Sequence, residues 1–339
     1  MAERTGVFAD RNESQKPQIS LARSTAGRMW LVSLCAFMAV GQSSLTDSYS
    51  SLLVAMSAVF TAVLTEYLVL GSTRGKKALL DGSAVASALI LSLLLPNRIS
   101  PAYAAAGALF GMAVIKHSFG GLGSNWLNPA AGGWLFVRFS WPTSFTEALK
   151  GSLNINAVFI PPALRDNALN SILNKTVFSF LGVELPSGYM ELFSSRFPGI
   201  IADRGVFAIL LGTIIITASQ VNRAWIPAVY LAVFGFLVRF AGALPYGGEI
   251  RNGDVLFSLC TGGTLVAAFF LAADPSTGAK SSRGMFLAAF ASGGITFIFR
   301  YFGNEPYGAV LAAVFINALL PLVRVFESKS LYETQGTPQ

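Results

Sequence analysis

The chain has 339 residues, 53% of them hydrophobic and only 12% charged, with a formal net charge of +7. Soluble domains carry roughly 25% charged residues, and the mean hydropathy here is +0.58, so a water-solvated globular enzyme is excluded. The positive balance has no basic face interleaved with aromatics, which argues against a nucleic-acid partner.

Residues 1–27 form a polar arm carrying Arg4, Arg11, Lys16 and Arg23 beside Asp10 and Glu13. It has no apolar run ending in a small-residue cleavage site, so no cleaved signal peptide is expected. From there about ten apolar stretches follow, near 28–45, 51–71, 80–96, 101–116, 126–141, 204–221, 225–242, 255–273, 284–302 and 306–324. The third and fourth are short, but each is compatible with the ~20 residues that a bilayer helix needs. None alternates with period two, and backbone groups in lipid must be satisfied within the segment. The expected fold class is therefore all-α, a polytopic membrane protein, and not a β-barrel.

Basic residues set the expected orientation. With the arm in the cytoplasm, Arg74, Lys76, Lys77, Lys116, Arg223, Lys280, Arg283, Arg324 and Lys329 all fall on the cytoplasmic side, as the positive-inside bias prefers. Both termini, including a tail at 327–339, are then cytoplasmic.

The third and eighth stretches resemble each other. Asp81-Gly82-Ser83-Ala84-Val85-Ala86 runs on to Pro96, and Gly262-Gly263-Thr264-Leu265-Val266-Ala267 runs on to Asp274-Pro275. Each opens with a small-residue turn and closes at proline. Two halves, 28–141 and 204–326, would each hold five spans, and an odd number forces the second half into the membrane upside down. Such inverted repeats place the working site at the midplane between halves. Residues 142–203 join the halves and mix five prolines with Lys150, Arg165, Asp166, Lys175, Glu184, Glu191 and Arg196, so no span crosses there. They are expected to form an external segment, part of which, around Phe178 to Val183, packs on the membrane domain.

Polar groups within the spans need a reason. Glu66 lies inside the second stretch and Asp81 opens the third, and both are candidates for an ion path. Asn128-Pro129 in the fifth and Asn317 in the tenth occupy similar places in their halves, where an amide and a helix-breaking proline would free carbonyls for a cation. The competing reading for the asparagines is interhelical hydrogen bonding. His117 reads as a solvated residue at a helix end. Cys35 and Cys260 have no metal-ligand spacing, so no metal site is expected from this chain alone. Three glycines in 116–125 permit close backbone approach, but no phosphate-loop motif is present.

Several of these stretches together resemble one family. Asp81-Gly82-Ser83-Ala84, Lys116 with Phe119-Gly120-Gly121-Leu122-Gly123, Asn125 and Asn128-Pro129-Ala130, Phe269-Phe270 with Ala273-Asp274-Pro275, and Asn317-Ala318-Leu319 with Pro321-Leu322 look like the RnfD/NqrB family, closer to RnfD. The resemblance runs from about residue 30 to 326. It implies a subunit of an ion-pumping oxidoreductase in the bacterial inner membrane. That complex passes electrons between ferredoxin and NAD while sodium or protons cross, in company with other membrane and peripheral subunits.

It also implies FMN joined through phosphate to a threonine in the external segment, where Thr176 stands at the matching position after Lys175. The surrounding pattern departs from the family's Asp-x-x-Ser-x-Ala-Thr at Asn170, Leu173 and Lys175. The positive Lys175 would favour a flavin phosphate or block the attaching enzyme. A riboflavin or second flavin held noncovalently is a further expectation. The alternative is a small-solute channel or transporter of inverted-repeat fold with no redox role.

Overall fold

The computed structural model describes residues 25–46, 49–121, 123–150, 193, 199–274, 276–279 and 281–335, with 46, 72–78, 150 and 324–335 described as backbone. Among them every element is a helix and no strand forms. Helix α1 spans Thr25–Thr46 and α2 Ser50–Leu79, the latter broken at Gly71 with φ 74°. Helix α3 is Ser83–Leu94. Helix α4 starts with proline in its first turn, spans Pro101–Phe110 and continues as a π-wound stretch, Gly111–His117. Helices α5 and α6 are Pro129–Ser140 and Pro142–Lys150.

The second set begins with the short α7, Ile201–Arg204, then α8, Val206–Ala218, and α9, Trp225–Ala241. Helix α10, Val255–Cys260, is separated by a glycine turn from α11, Thr264–Val266, which runs into π-wound Ala267–Ala272. Helix α12, Ser282–Phe297, also ends π-wound, at Ile298–Phe302, and α13 is Gly308–Gln335. Helix thus occupies each of the ten apolar stretches. Three, Ser50–Gly71, Trp225–Tyr246 and Ser282–Phe302, are long and apolar enough to cross a bilayer by length and composition, and Ser83–Leu94, Val206–Ala218 and Gly308–Val323 are apolar but shorter.

Helix α2 shows how the surface is sorted. Val54, Ala58, Ala62 and Glu66, at intervals of four, are buried, whereas Leu53, Met56, Phe60, Leu64 and Leu68 on the opposite face are exposed. Large aliphatic and aromatic side chains outside and small ones inside are what lipid, rather than water, selects. Where α4 meets α5, a Cβ on Gly133 would lie 2.5 Å from the Gly107 carbonyl oxygen. Only glycine allows this approach.

Packing repeats between the sets. Helix α2 lies against α3 and α4 as α9 lies against α10 and α12, and α5 contacts α4 as α13 contacts α12. Helices α1 and α8 pack on each other across the two sets, with the Cys35 thiol directed at the Gly212 carbonyl oxygen at 3.6 Å.

Some expected boundaries shift. The segment 142–203 does not lie wholly outside the helical body: α6 inserts Phe145, and α7 is buried, its Ile200 neighbour bridging to Pro96. Helix α13 continues through the predicted tail to Gln335, past an internal Pro321. Thr176 and Lys175 lie outside the described residues.

Candidate functional site

The site begins at the turn before α3. Gly82 has φ 74°, and a Cβ there would press on the Trp30 ring at 3.0 Å, so the left-handed turn requires glycine. Trp30 donates its indole N–H to the Leu80 carbonyl at 3.0 Å, and the Asp81 carboxylate accepts the Ser83 N–H at 2.7 Å. These bonds aim the Ser83 hydroxyl inward, where it accepts from Lys116 Nζ at 2.6 Å.

Lys116 also donates to Glu66 Oε1, and both side chains are 2% exposed. An isolated charge in such a place is costly, and the pair is tolerated because each ion neutralises the other. The carboxylate is only half satisfied. Glu66 Oε2 has no hydrogen-bond partner, nor does His117 Nε2, which stands 3.8 Å from Glu66 Oε1.

A second polar knot joins the two sets of helices. Asn128 caps α5, its Oδ1 accepting from Ala130 N at 2.9 Å, while its Nδ2 donates to Asp274 Oδ2 at 2.8 Å. Asp274, at the end of the π-wound stretch after α11, also accepts from the Ser276 N–H and hydroxyl at 2.9 and 2.8 Å. One amide therefore ties the start of α5 to the end of α11.

Between these knots lies a cavity of about 530 Å³ whose walls include Asp81, Ser83, Lys116, Asn128, Phe270 and Asp274. A second cavity of about 760 Å³ adjoins it, sharing Arg28, Asn222 and Asp274, and reaches Asn317. Both fall in the size range of small-molecule sites, 300–1,000 Å³. Their carboxylates can attract cations, and their basic and amide groups can orient a polar ligand.

At the other end of α3, some 18 Å away for 12 helical residues, a related arrangement recurs. Gly262 and Gly263 have φ of 65° and 69°, and Thr264 follows as Ser83 follows Gly82. Arg300, in a π-wound stretch as Lys116 is, donates to Thr264 Oγ1 at 2.8 Å, to the Ser258 and Thr261 carbonyls at 2.6 and 3.1 Å, and to Thr261 Oγ1 at 3.0 Å. The buried Asp203 accepts the Gly263 N–H at 3.1 Å.

Residues 12–333 match the model of the NQR2, RnfD, RnfE family. The chain belongs to this family. It is 29% identical to an RnfD-type subunit of the proton-translocating ferredoxin:NAD(+) oxidoreductase complex of Clostridium ljungdahlii, over 95% of this chain and 96% of that one. It is 25% identical to the corresponding subunit of the Na(+)-translocating ferredoxin:NAD(+) oxidoreductase complex of Acetobacterium woodii, over 94% of each. The corresponding subunit of an ion-translocating oxidoreductase complex of Stutzerimonas stutzeri is 30% identical over 81% of each chain.

In this member of the NQR2, RnfD, RnfE family, stretches far apart in sequence converge. Asp81, Ser83, Lys116, Asn125, Asn128, Phe269, Phe270 and Asp274 all line the smaller cavity. Of the predicted ion-path residues, Asp81 and Asn128 reach that cavity directly, Glu66 stands behind Lys116, and Asn317 belongs to the larger cavity.

Four expectations need correction. Pro129 occupies the first turn of α5, where no helical bond is lost, so it frees no carbonyl. Asn317 lies within α13 rather than at a cap, so the two asparagines are not equivalent. The His117 side chain is only 6% exposed and points at Glu66, not at solvent. Lys116 is a buried ion-pair partner and not a marker of topology. Arg300 and Asp203 were missed altogether; the available signal was a charge inside or beside an apolar stretch, the same one that marked Glu66.

Proposed function

We propose that this chain is the RnfD-type membrane subunit of an ion-translocating oxidoreductase complex, which couples electron transfer between ferredoxin and NAD to the movement of sodium or protons. Support comes from the near full-length similarity to subunits of such complexes, together with the convergence of Asp81, Lys116, Asn128 and Asp274 on one cavity. The relatives are named for different ions, so the ion is sought among both. The reading includes a bacterial inner-membrane location, both termini in the cytoplasm, and other membrane and peripheral subunits as partners.

In this reading the ten helical stretches cross the membrane as two inverted sets of five. The repeated packing supports it, as does the opposed course of the broken helices. A Cβ at Gly263, where α11 begins, would lie 3.8 Å from Leu94 at the end of α3. Phe270, beyond α11, shares a cavity with Ser83 at the start of α3. Half-helices running in opposite senses past one site suit a path open alternately to either face.

FMN attached through phosphate to Thr176, beside Lys175, remains part of the proposal, on sequence resemblance alone. A flavin supplies one-electron transfer when bound. A riboflavin or second noncovalent flavin belongs to the same reading. Denatured protein should carry in-gel flavin fluorescence that Thr176→Ala abolishes, and an unmutated chain without it removes the covalent flavin.

The function itself is tested in membrane vesicles. Ferredoxin-dependent NAD reduction should drive cation uptake, and deletion of this chain should abolish both. A chain that purifies alone and colourless, and whose loss leaves both activities intact, would overturn the proposal in favour of a solute channel.

A further inference from the structure

The two basic residues at opposite ends of α3 are held in different ways. Arg300 is fixed by the two carbonyls and two hydroxyls of Ser258, Thr261 and Thr264, and its planar fork matches them. Lys116 is held among the described residues by a carboxylate and a single hydroxyl, on a flexible four-carbon arm, in the wall of a cavity. An ammonium is a compact charge with three donors. It can leave Glu66 by rotating into open space without breaking a backbone turn.

The geometry points to Lys116 as a positioning residue for translocation: a tethered cation that occupies Glu66 until the transported cation displaces it. This rests on the reading of the chain as an ion-translocating subunit. Glu66 has one oxygen on Lys116 and the other, Oε2, buried with no partner. Buried polar atoms are ordinarily paired, and a carboxylate with a spare acceptor is able to receive a sodium ion or a proton.

It cannot comfortably hold both cations. With Lys116 in place the pair is neutral, and a second positive charge beside it in a site this dry would be strongly repelled. Entry of the transported ion therefore requires the ammonium to move, and Asp81, on the same cavity wall as Lys116, offers a second anionic partner. When the ion leaves, the ammonium returns and neutralises Glu66. The arrangement blocks passive leak while leaving a site that a driven cation can take. The charged and titratable groups around Glu66 are Lys116, His117 and Asp81.

The test uses the whole complex in proteoliposomes, with sodium uptake and internal pH both recorded. Lys116→Met should raise the passive cation leak several-fold without ferredoxin and lower cation uptake per NAD reduced, while NAD reduction continues. Lys116→Arg, keeping the charge, should restore the low leak. A merely structural lysine would alter assembly in both variants and change neither leak nor ratio. Should Lys116→Met fail to assemble, the double variant Glu66→Gln with Lys116→Met removes both charges; it should assemble without driven uptake. Wild-type leak and ratio in Lys116→Met, or wild-type uptake in the double variant, overturns the inference alone. Absence of uptake by the wild-type complex overturns the functional reading beneath it.

Discussion

Asn128 carries two duties with one side chain, capping α5 through its oxygen and holding Asp274 through its nitrogen. Asn128→Ala removes both at once. A lost cap costs about 0.5–2 kcal/mol, and a buried carboxylate deprived of a donor about 1–3 kcal/mol more. Thermal denaturation of the detergent-purified complex should therefore begin several degrees lower, and an unchanged midpoint would show that the knot contributes little. Asn128→Asp keeps an oxygen for the cap but sets a second carboxylate against Asp274, so driven uptake should suffer more than stability.

At this scale the sequence discloses groups that violate their surroundings. Glu66 and Asp81 stand out because a carboxylate within or beside an apolar run demands an explanation. Their partners do not. Lys116 looks like one more basic residue at a helix end, and only the winding after α4 turns it inward to Glu66. Arg300 hides for a related reason, since its acceptors are mostly backbone carbonyls and threonine hydroxyls, which no charge pattern announces.

The helices themselves were legible, because lipid imposes a length and a composition on each of them. Their interruptions were legible only as a likeness between two short stretches. Structure gives that likeness a cause: Gly82 and Gly263 both adopt left-handed φ immediately before a half-helix, and the next residue, Ser83 or Thr264, bonds the basic side chain. The π-wound stretches have no comparable signal, since composition does not distinguish them from ordinary helix.

Gly262 tests this element. A Cβ there would fall 2.3 Å from the Pro306 carbonyl oxygen and 3.1 Å from the Arg300 guanidinium carbon, and φ of 65° adds roughly 1–2 kcal/mol for any side chain. Gly262→Val should sharply reduce assembled complex in the membrane, whereas Gly121→Ala, with nothing within 4 Å of its Cβ, should lose only that backbone cost. Equal yields of the two variants would contradict the account.

On the scale of the whole molecule, neither set of helices contains the smaller cavity alone. The first supplies Asp81, Ser83, Lys116 and Asn128, the second Phe269, Phe270 and Asp274. A relative displacement of the sets would stretch the Asn128–Asp274 bond and change which face the cavity meets. This supports a site that is exposed alternately, as expected of opposed repeats. The segment between the sets is only partly visible in this logic: its ends, Phe145 and α7, are buried with the helices.

The most direct test of the central claim, that this shared cavity couples electron transfer to cation movement, is the number of cations taken up per NAD reduced by the reconstituted complex. Asp81→Asn and Asp274→Asn should each let NAD reduction continue while that ratio falls several-fold. Fully assembled variants with the wild-type ratio would contradict it.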